Sequence, residues 1–217
     1  MKKEQAYRYI KTLIIEEKLD QDAAINVNEI AEHLNMSRTP VHKAFTQLEQ
    51  EGFVTIIPQV GIFVKRPDPN EVLERLLVCA NIDSLMTEKA TFLLNEKEFA
   101  YMEKVLKEMD NPDLQTDDYL KLNIEFHKTI YEASRLQYTL NLAKQLWDYL
   151  NYVGNPEFLF SKERRKLSQV EHWMIYNCLK EKDSKMAKTL MEKHMRRVAT
   201  FVSQKYEGVE LKQSIIK

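Results

Sequence analysis

The chain after residue 70 is dominated by apolar positions that recur every three or four residues. This spacing places side chains on one face of an α-helix, and it predicts six helices at about 70–94, 96–109, 116–134, 137–153, 163–181 and 183–205. The clearest interruptions are Asn111-Pro112 and Gly154-Asn-Pro156, where proline cannot continue a helix. We therefore expect an all-helical bundle in this part of the chain.

The first third of the chain contains two shorter amphipathic stretches separated by only a few residues. Asn28 is a suitable N-cap for the first, whose apolar residues are Ile30, Ala31 and Leu34. Ser37 is a suitable N-cap for the second, with Pro40 in the first turn, where a missing amide hydrogen costs little. Two caps this close predict two helices joined by a sharp turn.

The second of these helices has two chemically different faces. Its apolar stripe consists of Val41, Ala44, Phe45 and Leu48. The opposite face consists of Arg38, Thr39, His42, Lys43, Thr46, Gln47 and Gln50. This polar face carries hydrogen-bonding groups without an acidic residue, which suits contact with base edges and phosphates. The pattern predicts a helix-turn-helix that presents its second helix to the DNA major groove.

A different pattern follows Gly52. Residues 53–66 are rich in β-branched and aromatic side chains on both sides of a break between Pro58 and Gly61. Such a segment is typical of two strands joined by a turn. A β-hairpin at this position predicts a winged helix-turn-helix.

Three segments of this region closely resemble the DNA-binding domain of GntR-type bacterial transcription regulators: 37–41 (Ser-Arg-Thr-Pro-Val), 47–54 (Gln-Leu-Glu-Gln-Glu-Gly-Phe-Val) and 58–64 (Pro-Gln-Val-Gly-Ile-Phe-Val). The resemblance implies DNA contacts from the turn, the early recognition helix and the wing-tip glycine. Together with the polar face it gives the expected DNA-binding residues: Ser37, Arg38, Thr39, His42, Lys43, Thr46, Gln47 and Gly61.

The resemblance has two departures. The family usually has Arg-Glu where this chain has His42-Lys43, and a common Pro-Gly is missing from residues 19–25. His42 can reach a guanine or a phosphate, or it can be merely solvated on an exposed helix face. Arg38 is the firmer candidate for a DNA contact.

Composition limits how the chain can bind DNA. The 217 residues have a net charge of −1, and residues 1–66 hold nine Lys/Arg against nine Asp/Glu. Affinity for DNA must therefore come from local placement of charge and from dimerisation. The presence of only four glycines favours a mainly α protein. We expect a winged helix-turn-helix domain at 1–66, a linker at 67–69, a helical effector-binding and dimerisation domain at 70–206, and a flexible tail at 207–217.

No apolar run approaches the length that spans a bilayer, and the Met-Lys-Lys start does not lead into a signal-peptide core. We expect a cytoplasmic protein without a membrane partner. Cys79 and Cys178 lie among apolar neighbours in separate helical segments, where a small buried thiol is the ordinary interpretation and a redox pair is the alternative.

Three histidines lie near the middle of apolar helical faces in the second domain: His127, His172 and His194. Asn123 is one helical turn before His127, so both point the same way. A single histidine in such a place is more often a core residue satisfied by one hydrogen bond. Three on facing helices would each need a polar partner, whereas one divalent cation satisfies all of them. Both interpretations remain open at the level of the residues.

Residues 123–127 (Asn-Ile-Glu-Phe-His), Glu171-His172 and His194 resemble the helical effector-binding domain called FCD, found in the FadR subgroup of these regulators. Metal-binding members use Asp-x-x-x-His and two later histidines. The resemblance implies a site for zinc, nickel or manganese formed by Asn123, His127, His172 and His194, with a neutral amide in place of the usual carboxylate.

The neutral ligands leave the charge of a divalent ion uncompensated, which predicts a small organic acid as effector. Arg75 on the first helix of the domain is a candidate for a bidentate contact with that acid, or it is a solvated arginine. Glu171 either orients an imidazole or faces water.

The residues and the two resemblances together predict a homodimeric repressor or activator that binds a pseudo-palindromic operator and responds to a small carboxylate. Two other classes stay open. A three-histidine zinc site can lower the pKa of water, as in a metal-dependent hydrolase, although no His-Glu-x-x-His is present. A helical interaction module without a ligand is the third class. We expect a regulator and not an enzyme.

Overall fold

A computed structural model describes the backbone of residues 2–154 and 160–204, and the side chains of residues 2–150 and 160–202. It divides into two compact units, and the chain passes from the first to the second between Asp68 and Pro69. The predicted domain bounds stay a prediction. The mainly α fold class with a small N-terminal hairpin is confirmed. Among the described helices, none combines the length and apolar character needed to cross a membrane. The predicted tail at 207–217 lies outside the described residues.

The first unit is a winged helix-turn-helix. Its helices are α1 (Lys2–Ile15), α2 (Val27–His33) and α3 (Arg38–Glu51), and its strands are β1 (Val54–Ile57) and β2 (Gly61–Val64). The strands pair antiparallel, with Val54 opposite Val64 and Ile57 opposite Gly61. The α3 helix ends at Gly52, whose φ of 88° lies in the left-handed region that suits glycine. The predicted order of helix, turn, helix and hairpin is therefore confirmed.

The start of α2 differs from the prediction. Its N-cap is Asn26 and not Asn28, because the Asn26 side-chain oxygen accepts the amide hydrogens of Asn28, at 3.0 Å, and Glu29. Asn28 is already inside the helix, and Leu34 is only half-buried at the C-cap. Ser37 is the N-cap of α3 as predicted, although its side chain makes no capping hydrogen bond.

The α1 helix was not predicted, although its buried positions Ala6, Ile10 and Ile14 recur every four residues. It packs on α3, whose apolar stripe is completely buried. Glu51 joins the two helices, since it accepts the Tyr7 hydroxyl at 2.6 Å and the Lys11 ammonium at 3.2 Å. Burying a charge without a partner is costly, and this contact pairs the Glu51 carboxylate with the Lys11 ammonium. The α1 helix therefore completes the core beneath the recognition helix.

The second unit is the predicted all-helical bundle. Its helices are α4 (Pro69–Ala90), α5 (Glu96–Met109), α6 (Thr116–Ala133), α7 (Gln137–Gly154), α8 (Lys162–Lys180) and α9 (Ser184–Gln204). The first ends at Ala90 and not near residue 94, because Asn95 starts α5 with a capping box that uses Glu98. Both cysteines are free thiols, with Cys79 buried and Cys178 half-buried.

The hairpin depends on a glycine at position 61, and this generates a prediction. Gly61 has φ +157°, and a Cβ added there would lie 3.0 Å from the Cβ of Ala24. We expect Gly61→Ala to lower the free energy of unfolding by about 1–3 kcal/mol, through backbone strain and steric contact. Chemical denaturation of the full chain, followed by circular dichroism, measures the change. Val60→Ala, at a 66% exposed turn position, is the matched control, and equal stability of both variants would contradict the assignment.

Candidate metal centre and nucleic-acid interface

Three helices of the second unit bring the predicted histidines together. His127 comes from α6, His172 from α8 and His194 from α9, and all three side chains are buried. Their ring centroids lie 5.2 Å apart for His127 and His172, 5.4 Å for His127 and His194, and 4.8 Å for His172 and His194. The periodicity that placed each histidine on an apolar face therefore also places them at one interior point.

The protein satisfies only part of the hydrogen-bonding capacity of these rings. His127 Nδ1 lies 3.1 Å from the Tyr131 hydroxyl, and His194 Nδ1 lies 2.6 Å from Glu171 Oε2. Glu171 thus orients an imidazole, but that of His194 and not of its neighbour in sequence. Among the described residues, Nε2 of His127 and both nitrogens of His172 have no hydrogen-bond partner. Buried polar atoms rarely lack a partner, so this arrangement indicates a missing one.

Burial keeps the imidazoles uncharged. It lowers the pKa of His127 and His172 well below the usual value, and it lowers the pKa of His194 to about 3. The charge of Arg164 adds to the effect at His194 and His172. All three rings are therefore neutral near pH 7, which is the protonation state in which histidine binds a metal.

The cluster has the donors that a divalent metal requires. One nitrogen from each ring can be chosen so that all three lie within 4.8 Å of one another. Bonds of about 2.1 Å in a tetrahedral zinc site require nitrogens about 3.4 Å apart, so the rings must close slightly around an ion. Asn123 is also buried, one turn before His127 on the same face of α6. The donor set fits a metal, with no carboxylate among the four residues.

A buried carboxyl group near this centre was missed at the level of sequence. Asp83 is fully buried on α4, and burial raises its pKa to about 8. The Tyr131 hydroxyl and the Trp147 indole lower the pKa in part, although neither forms a hydrogen bond of regular geometry with the carboxyl group among the described residues. An aspartate among the apolar positions of α4 was the available signal.

Arg75, the predicted effector contact, has local partners. Its guanidinium donates to Glu71 Oε1 at 2.7 Å and stacks over the Tyr149 ring at 3.9 Å. These contacts explain its position without a ligand, and its proposed role in effector binding stays a prediction.

The recognition helix presents the predicted polar face. The side chains of Ser37, Arg38, Thr39, His42, Lys43 and Thr46 are exposed, whereas Gln47 is half-buried and donates to Glu51 at 3.0 Å. Glu49 accepts the amide hydrogen of Ile56 at 2.8 Å. Both acids of this helix are thus hydrogen-bonded within the domain, and neither belongs to the exposed polar face formed by Arg38, Thr39, His42, Lys43 and Thr46. Gly61 begins β2, just after the exposed tip at 58–60.

Comparison with known proteins identifies both units. The family model described as "Bacterial regulatory proteins, gntR family" matches residues 2–64, and the FCD domain model matches residues 74–197. The second match alone covers more than half of the chain.

Individual relatives are similar along nearly the whole length. An uncharacterized HTH-type transcriptional regulator in an unstable DNA locus of Streptomyces ambofaciens is 26% identical, over 88% of this chain and 81% of the relative. The HTH-type transcriptional repressor RspR of Escherichia coli is 23% identical, over 93% and 89%. The solved structure of E. coli McbR/YncC has a similar fold, with a TM-score of 0.75, 18% identity, and coverage of 95% and 99%.

These matches agree with the winged helix-turn-helix and the helical bundle described above, and they decide between the classes that the sequence left open. Regulators of this type bind DNA operators, and the matching family models and the relatives named above are those of transcriptional regulators. The chain belongs to the gntR family of bacterial regulatory proteins, carries an FCD domain, and is a DNA-binding transcriptional regulator and not an enzyme.

Proposed function

We propose that this regulator senses a small organic acid at a divalent metal held by Asn123, His127, His172 and His194, and that the bound acid controls operator binding. The observation that carries the proposal is the set of nitrogens on His127 and His172 that are buried without a partner. Leaving a polar atom in this state costs about 1–3 kcal/mol. A shared cation would remove that cost for one nitrogen on each of the two rings.

The charge of the site supports an acidic ligand. Three neutral imidazoles and one amide leave the dipositive charge of an ion uncompensated, in a cavity where water screens it poorly. A bound metal would supply that charge and open coordination positions. The carboxylate of a small acid fits both the charge and the open coordination positions. Because Asn123 is neutral, it leaves more of the ion's charge uncompensated than an aspartate at that position would.

We propose that a homodimer places two α3 helices on a pseudo-palindromic operator. The first unit has no net basic charge, so a single copy is expected to bind weakly. The acid shifts the equilibrium between dimer arrangements that fit both half-sites and arrangements that do not. A coupling of about 1–3 kcal/mol would change operator affinity about 5- to 150-fold. Repression is the direction proposed, as in the name of the relative RspR.

The first prediction concerns the recognition helix. Arg38→Ala removes an exposed cation at the start of α3, and it should weaken operator binding about 5- to 150-fold, the range for a base-contacting arginine. A gel-shift titration at physiological salt measures the change, with an operator selected by the native protein from random duplexes.

Arg8→Ala is the matched control, since Arg8 is an exposed cation of the same unit that pairs with Glu4 on α1. It should bind like the native protein. Undiminished binding by Arg38→Ala would remove Arg38 from the interface.

The second prediction concerns the metal. The native chain should retain about one zinc per chain after dialysis, and His172→Ala should weaken zinc binding at least about 100-fold by removing a ligand of the site. Elemental analysis and competition with a chromophoric chelator measure this. His33→Ala is the control, because His33 is exposed and stacks on Tyr9 in the first unit.

Metal removal separates a sensor from a structural site. The zinc-free protein should still bind its operator but should lose its response to organic acids. Equal zinc content in the His172→Ala and native proteins would return the histidines to the role of ordinary core residues.

A further inference from the structure

Side-chain contacts link α6 and α8 at two levels, in the same order along both helices. At their starts, the Arg165 guanidinium donates to the Leu114 carbonyl and to the Thr116 hydroxyl, each at 2.6 Å. About two to three turns later, the Phe126 ring on α6 lies 4.9 Å from the His172 ring on α8. Contacts at both levels mean that residues between them on the facing sides line one shared interior.

On each of these two helices, a polar residue occurs at every turn between the start of the helix and its histidine. Their spacing is four residues on each helix, which keeps the side chains on one face. All of them are buried. The residues are Tyr119, Asn123 and His127 on α6, and Arg164, Ser168 and His172 on α8. A polar strip therefore leads from the metal centre toward the start of both helices.

Arg164 is a buried cation whose hydrogen-bond partner is neutral. Its side chain is only 8% exposed, and its Nη1 donates to the Ser168 hydroxyl at 2.7 Å. Because Ser168 lies one turn further along α8, the guanidinium bends toward the histidines. No carboxylate among the described side chains forms an ion pair with it; Glu171, the acid nearest in sequence on the buried face, pairs with His194 and Arg197. Burying a charge without a counterion is costly.

The opposite wall offers a second group without a partner. Within the described part of the chain, the buried Tyr119 hydroxyl makes no hydrogen bond. The Arg165 guanidinium lies over the Tyr119 ring, 4.9 Å from its centroid, and Arg165 follows Arg164 directly on α8. The charges of both arginines also partly offset the rise that burial causes in the pKa of Tyr119. The Tyr119 hydroxyl and the Arg164 guanidinium are therefore buried at the same end of the two helices, and a carboxylate can accept hydrogen bonds from both.

We propose that Arg164 and Tyr119 form a carboxylate subsite beside the histidine centre, and that the effector is a short dicarboxylate that reaches both. This rests on the proposed function, because the second carboxylate would occupy the metal. Arg164 and His172 are eight residues apart, or about 12 Å along the helix, and the bend toward Ser168 shortens this by about one turn of 5.4 Å. Two carboxylates also match the combined charge of the ion and the guanidinium better than one.

The test compares two four-carbon acids on the zinc-loaded full chain. Succinate has a carboxylate at both ends, whereas butyrate has one. Binding is followed by the rise in melting temperature and by tryptophan fluorescence, since the Trp147 ring lies 5.9 Å from His127. The native protein should bind succinate at least tenfold more tightly than butyrate.

Arg164→Gln should lower succinate affinity at least tenfold, to the level of butyrate, with zinc content unchanged. Without acid this variant should melt at the same temperature as the native protein or higher, because it removes an uncompensated buried charge. Arg196→Gln is the matched control, as Arg196 is exposed on α9 and pairs with Glu192. Tyr119→Phe should weaken succinate binding several-fold and leave butyrate binding unchanged, and it decides the question if Arg164→Gln does not fold.

Three results would overturn the subsite. Native-like succinate binding by Arg164→Gln, or by Tyr119→Phe where that variant decides, would overturn it while leaving the metal-dependent sensor intact. Equal affinity of the native protein for both acids would do the same. Binding of neither acid by the zinc-loaded native protein would overturn the dicarboxylate and also count against the carboxylate effector of the proposed function.

Discussion

The helical unit buries three neutral imidazoles in an interior where the described residues supply two hydrogen bonds to them, from Tyr131 and Glu171. Three ring nitrogens, one on His127 and two on His172, are left without partners. Each unsatisfied polar atom in an apolar core lowers the free energy of unfolding by about 1–3 kcal/mol. This is a large share of the net stability of a folded domain. The need to satisfy these atoms explains why the site should hold a ligand.

The two hydrogen bonds that are present have a definite effect. Each occupies Nδ1 of its ring, which directs Nε2 of His127 and of His194 away from that partner. Glu171 is itself held by Arg197, so its negative charge is compensated before any ion binds. The centre therefore offers the lone pairs of imidazole nitrogens to a cation, while its net charge stays close to zero. Such a site would bind a cation and leave that cation able to attract an anion, which is the order that the proposed metal-dependent acid sensor requires.

The DNA-binding unit satisfies its own polar groups in a contrasting way. Its acids on α3 are bound by α1, by Gln47 and by the backbone of β1. The exposed polar face of the recognition helix is formed by other residues, which include Arg38 and Lys43. The DNA-binding unit thus satisfies its acids internally. The helical unit leaves buried polar atoms unsatisfied among the described residues, and this is where we propose that a metal and its acid bind.

Periodicity predicted the helices, because residues four apart share a helix face. It also predicted that the histidines meet, because each lies on an apolar face and apolar faces pack together inside a bundle. It could not predict that Glu171 would bond His194 and not His172, since that choice depends on how α8 and α9 pack. The cap at Asn26 was missed because two asparagines two residues apart offer the same chemistry to a sequence pattern. Arg164 and Tyr119 were missed because their lack of partners is a property of the packed interior.

The central claim is that the three histidines bind one divalent metal. X-ray absorption spectroscopy of the zinc-loaded protein tests it most directly, because imidazole rings give a distinctive scattering pattern. The account predicts three imidazole nitrogens at about 2.0–2.1 Å, completed by oxygen ligands. Zinc surrounded by oxygen alone, or a spectrum without imidazole scattering, would contradict it.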